Sequence, residues 1–136
     1  MAWKPRNRRD RSETPAGTGP VLIHALDGFL GAGSAARLAS NELRTGQGEL
    51  VHEFDLDSMF DYRARRPMIA FREDHYDEYD QPTLQIVLER DGNGTPYLLL
   101  AGPEPDFQWE RFISETHDVI EDLGVPLAIG LGAVPM

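Results

Sequence analysis

The segment from Leu84 to Leu131 constrains this chain most. Leu84, Ile86 and Leu88 alternate with Gln85, Val87 and Glu89, the two-residue period of a strand, and Asp91-Gly92-Asn93-Gly94 tolerates the positive φ of a hairpin turn. Thr95 to Ala101 returns as a more continuously apolar strand, which places it inside a sheet. Over about Asp106 to Leu123 the period changes: Trp109, Phe112, Ile113, Thr116, Ile120 and Leu123 mark one face of an amphipathic helix, and Gly124 is placed to cap it. Val125 to Leu131 then reads as a further buried strand. Parallel neighbours need a crossover of this kind, so the pattern predicts a mixed sheet with helical cover.

The preceding residues fit the same architecture. Val21 to Leu26 is a buried strand, followed by Gly28, Gly31 and Gly33 and a helix over about Ser34 to Arg44, with a mostly apolar stripe of Ala35, Leu38, Ala39, Glu42 and Leu43. Leu50 to Phe54 and Met68 to Phe71 are strand candidates. Asp55 to Pro67 reads as a charged loop, and Glu73 to Asp80 is too acidic to bury. Six strands with two long helices leave part of a sheet face uncovered, which suggests a fragment of a longer protein or closure by another subunit.

At 136 residues the chain is one domain's worth, expected as a disordered basic tail over 1–20 and an α/β domain over 21–136. The absence of cysteine excludes disulfides, thiolate metal sites and cysteine nucleophiles. No apolar run approaches the roughly 20 residues of a membrane span, so the expectation is a cytoplasmic protein with no membrane partner. The net charge of −10 is uneven: residues 1–20 carry five basic and two acidic side chains, which leaves −13 on the remainder. Such a body repels phosphate backbones, so nucleic acid is expected only through the Arg6 to Arg11 arm.

Chemistry-bearing motifs are sparse. Asp27-Gly28-Phe29-Leu30-Gly31-Ala32-Gly33-Ser34 lies between a strand and a helix, but it lacks the lysine of a phosphate loop, and glycines that allow close helix–sheet packing explain it as well. The histidines show no metal-ligand spacing. Ser34 and Ser58 are the best-placed hydroxyls for a nucleophile, yet no base accompanies them. Neither a catalytic set, a metal site nor a cofactor is expected. The loop around Phe60, Asp61, Tyr62, Arg63, Arg65 and Arg66 mixes planar donors with aromatic anchors, as protein interfaces do, and internal ion pairing is its bland alternative. In AGPEPDFQW (101–109), Glu104 and Asp106 read as negative charge near a new helix, with Pro105 in its first turn.

Taken together, Asp61-Tyr62-Arg63-Ala64-Arg65-Arg66-Pro67, Gly102-Pro103-Glu104-Pro105-Asp106-Phe107-Gln108-Trp109 and Gly130-Leu131-Gly132-Ala133-Val134-Pro135 resemble the proteasome assembly chaperone two family, in particular its actinobacterial members. The likeness runs from about Val21 to Met136. It implies an α/β/α sandwich related to phosphorylase and hydrolase-like folds, here the amino-terminal part of a longer family domain. It also implies a non-catalytic, chaperone-like module that binds a protein partner or itself, as a homo-oligomer of three or more copies. Phe60, Asp61, Tyr62, Arg63, Arg65 and Arg66 are the candidate partner-binding residues. The alternative is a small-molecule enzyme for nucleoside or phosphate-type ligands, with a cleft at Asp27, Gly28, Glu104 and Asp106, where strand ends of open α/β sheets hold ligands.

Overall fold

The computed structural model describes residues 17–28 and 34–134. Most of the expected basic tail and the glycine stretch from Phe29 to Gly33 lie outside the described residues. The elements run β1 (Val21–Asp27), α1 (Ala35–Leu43), β2 (Glu49–Glu53), α2 (Leu56–Met59), β3 (Ile69–Arg72), β4 (His75–Tyr79), β5 (Gln85–Arg90), β6 (Pro96–Pro103), α3 (Trp109–Asp122) and β7 (Ala128–Gly130).

Five strands form a mixed sheet in the order β2-β5-β6-β1-β7. The hairpin pairs β5 antiparallel to β6, and Gly94 donates to the Asp91 carbonyl across the turn at 3.0 Å. β1 lies parallel to both β6 and β7. Thr95 to Ala101 therefore sits inside the sheet, as its apolar run requires, with Leu98 and Leu99 fully buried. The connections leaving β1 and β6 run in opposite directions along the sheet, through α1 to one edge strand and through α3 to the other.

The two faces differ. Leu22, Leu84, Ile86, Leu98 and Leu100 form the main core with Phe112 and Val119 of α3 and with Phe54, Leu56, Met59 and Phe60. On the other face Ala36 and Ser40 of α1 are buried, opposite the small residues Ala25 and Ala101. Here the expected stripe is corrected, because Leu38 is exposed. Two small side chains four residues apart let α1 approach closely, so its contact face is defined by size rather than by apolarity.

Four further expectations change. The charged loop after Asp55 contains α2, and its Leu56, Met59 and Phe60 are buried. The acidic stretch from Glu73 is on the surface but includes β4, paired antiparallel with β3 in a ribbon separate from the main sheet. The face carrying Val87 and Glu89 is covered as well, and Glu89 is buried with its carboxylate accepting from the Thr45 hydroxyl and N–H. The long helix begins at Trp109, because Gln108 adopts a left-handed φ of 57°. Gly124 ends that helix with φ 63°, and its carbonyl accepts from Gly19, so ordered contacts begin ahead of Val21.

Candidate functional site

The two charged sequence motifs are docked on one another. In the turn leaving β6, the N–H groups of Asp106 and Phe107 donate to the Met59 carbonyl at 2.7 and 3.1 Å. The Asp106 carboxylate accepts from the Asp61 N–H at 2.7 Å and from Arg65 at 2.6 Å, and Arg65 also donates to the Glu104 carbonyl. The Arg65 guanidinium stacks over the Phe60 ring, 4.5 Å from its centre. Asp61 folds its own loop, accepting from the N–H groups of Arg63 and Ala64. Burial alone would raise the Asp106 carboxyl, but the hydrogen bonds from Arg65 and Asp61, with the Arg65 charge, outweigh it and hold it below the ordinary aspartate range.

This clasp reassigns the acidic turn. Asp106 serves the 60–66 loop rather than the start of α3, and Pro105 lies ahead of the helix instead of in its first turn. The helix receives no side-chain cap. Arg111 extends the junction: it pairs with Glu115 on α3 and with Asp55, and it reaches the Ser58 hydroxyl. Ser58 also donates to the Asp55 carbonyl, so its hydroxyl is engaged as a turn element. Ser34 accepts from Arg37. Among the described residues, no three histidines or carboxylates group as metal ligands.

Of the candidate partner-binding residues, Phe60 is buried, Tyr62 packs against the core, and Asp61 and Arg65 hold the clasp. Arg63 and Arg66 are exposed side chains, and Arg66 lines a recess on the α1 side. The ribbon that follows carries Met68, Ile69, Phe71, Tyr76 and Tyr79, all exposed, with Phe71 and Tyr76 in edge-to-face contact. A two-stranded ribbon has little core of its own, and so many large apolar side chains on one exceed what a solvated surface normally shows.

The candidate cleft residues divide between two hollows. The Asp27 carbonyl accepts from the Glu104 N–H at 2.8 Å, and Gly28 lies where an added Cβ would strike the Glu104 side chain. Asp27 lines a recess of about 470 Å³ on the α1 side, at the carboxyl ends of β1 and β6. Glu104 lines a more apolar recess of about 570 Å³ on the α3 side, with His24, Leu26, Trp109 and Ile120. Asp106 belongs to the clasp. The α1-side recess also gathers Arg37, Ser40 and Asn41 of α1 and Arg44 just after it, with Arg65, Arg66 and Asp80. Sequence reasoning passed over Arg37 and Arg44, although the spacing 37, 40, 41 and 44 is a polar stripe at helical period.

The model of the PAC2 family matches residues 25–136. None of the curated proteins matches the chain. Among solved structures, the Mycobacterium tuberculosis protein Rv2714, of unknown function, is 50% identical with a TM-score of 0.83 over 91% of this chain and 46% of its own. A Corynebacterium glutamicum protein of unknown function is 37% identical, TM-score 0.80, over 90% of this chain and 46% of its own. The Mycobacterium tuberculosis proteasome-assembly chaperone homologue Rv2125 is 30% identical, TM-score 0.73, over 84% of this chain and 49% of its own. The chain thus spans about half the length of these relatives. With matched residues that include both halves of the clasp, this chain belongs to the PAC2 family.

Proposed function

We propose that the chain is a chaperone-like protein-binding module of the cytoplasm, non-catalytic and working as an oligomer, whose partner surface is the β3–β4 ribbon with the adjoining 60–67 loop. The observation that carries this reading is the exposure of Met68, Ile69, Phe71, Tyr76 and Tyr79 on a ribbon that stands apart from the main sheet. Family membership supports it, as does the likeness to a proteasome-assembly chaperone homologue. In this reading Phe60, Asp61, Tyr62 and Arg65 fix the shape of the loop, while Arg63 meets the partner. Aromatic side chains beside arginine are the usual composition of binding hot spots. No helix of the described residues is long and apolar enough to cross a membrane.

Light scattering and chemical cross-linking of the wild type and of a Phe71→Ser/Tyr76→Ser variant test the proposal. Both side chains are exposed, so the variant is expected to fold normally while its mass falls toward that of one chain. Charge reversal at Arg63 is expected to act in the same direction. Unchanged mass and unchanged cross-links in both variants would remove the ribbon and loop as the interface.

A further inference from the structure

Eight arginines follow residue 20, and four of them, Arg37, Arg44, Arg65 and Arg66, line the recess at the carboxyl ends of β1 and β6. Half of the basic side chains after residue 20 thus share one hollow, where like charges repel unless anions offset them, and Asp27 and Asp80 lie on the same lining. The chain's own carboxylates do this only in part. Arg65 is matched by Asp106, and Arg37 reaches the Ser34 hydroxyl at 3.2 Å. Among the described residues, Arg44 and Arg66 have no carboxylate within ion-pair distance.

We propose that this recess binds a small organic phosphate that also carries hydroxyl groups. Guanidinium groups present paired N–H donors that match phosphate oxygens two at a time. Arg37, Ser40 and Asn41 come from α1, Arg44 from the extended residue that ends it, and Arg66 lines the recess from the loop that leads into β3. Asp27 and Asp80, on the same lining, disfavour a bare phosphate but can accept from ligand hydroxyls. The volume of about 470 Å³ suits a molecule of sugar-phosphate size. The position fits as well: adjacent parallel strands send their connections in opposite directions here, which opens a crevice at their carboxyl ends.

Calorimetric titration of the full chain with glucose 6-phosphate and, separately, with inorganic phosphate at fixed ionic strength tests this. Glucose 6-phosphate is expected to bind saturably and several-fold tighter than inorganic phosphate. The Arg44→Ala/Arg66→Ala pair is expected to weaken it by about tenfold or more. Arg90→Ala is the control, since Arg90 lies outside the recess and donates to Gly94 in the β5–β6 turn, and it should bind as the wild type does. If the alanine pair does not fold, Arg44→Lys/Arg66→Lys keeps the charge, loses the paired donors and is expected to weaken binding. No saturable heat, inorganic phosphate binding as tightly as the sugar phosphate, or full affinity in the variant that folds overturns the proposal.

Discussion

Arg65 donates to the Asp106 carboxylate at 2.6 Å across 41 residues of chain, and this contact joins the two most distinctive charged motifs of the sequence. Each motif alone reads as loop chemistry. Docked together, they fix the exit of β6, the end of α2 and the loop toward β3 in one arrangement, so loss of any partner frees several backbone groups at once.

Asp106→Ala is accordingly expected to destabilise the fold by about 1–2 kcal/mol, since charged hydrogen bonds are lost to both Arg65 and the Asp61 N–H. The two side chains keep 32% and 31% of their exposure, which holds the figure at the low end of what a charged network contributes. Urea unfolding reads this as a lower midpoint with unchanged slope. A midpoint equal to wild type would mean that water replaces the carboxylate without penalty.

The same carboxylate gives a pH dependence of definite sign. Its folded-state pKa is held below the ordinary aspartate value, so its contribution is fully present above that value and is lost as pH falls through the folded one. The stability difference between wild type and Asp106→Asn should be level from pH 7 to about 5 and shrink below about 4, where an unperturbed aspartate protonates. A difference that grows on acidification contradicts the assignment.

A second expected effect sits on the opposite face of the sheet. The Glu89 carboxylate is buried and accepts from the Thr45 hydroxyl at 2.5 Å. Thr45→Val keeps the shape but withdraws the hydroxyl, and a buried charge with a lost donor costs about 1–3 kcal/mol. Thr45→Ser keeps the donor and should stay within about 0.5 kcal/mol of wild type. Equal melting temperatures for the valine and serine variants would refute a role for the hydroxyl.

These contacts also explain what was legible beforehand. Burial periodicity located β1, β5, β6 and α3 because Leu22, Ile86, Leu98 and Phe112 occupy one core, where period and burial coincide. Glu89 carried no such signal: it is a charged side chain on β5, and the return of residues 45–48 encloses it. β4 escaped notice because an acidic ribbon strand is held by cross-strand pairing with β3, for which single-sequence periodicity carries no signal. The clasp was hidden for a related reason, since Arg65 and Asp106 each look sufficient as local loop residues and only the fold brings them together.

Gly102 tests the geometry at the end of β6. Its φ of 139° is unusual for a residue with a side chain, and an added Cβ would run into the Thr83 carbonyl. Gly102→Ala is expected to cost about 2–4 kcal/mol, because strain and a backbone clash act together. Thermal unfolding by circular dichroism measures it. A loss below about 0.5 kcal/mol would mean that the strand end moves freely, at odds with its place beside the arginine-lined recess.

His52 and Glu115 form a further long-range polar contact at the core, 3.0 Å apart and 63 residues separated. His52 projects from β2, is 2% exposed and stands edge-on to Phe54 with ring centres 4.5 Å apart. Glu115 comes from α3 and also accepts from Arg111 at 2.9 Å. His52→Ala removes ring packing as well as a hydrogen bond and should cost about 2–4 kcal/mol, whereas Glu115→Ala, nearer the surface, should cost about 1–2 kcal/mol. The double variant separates the two causes: a coupling of about 1 kcal/mol assigns the shared part to the hydrogen bond between edge strand and helix. Strict additivity would instead mean that the contact between His52 and Glu115 adds nothing of its own and that ring packing against Phe54 accounts for most of the His52→Ala loss.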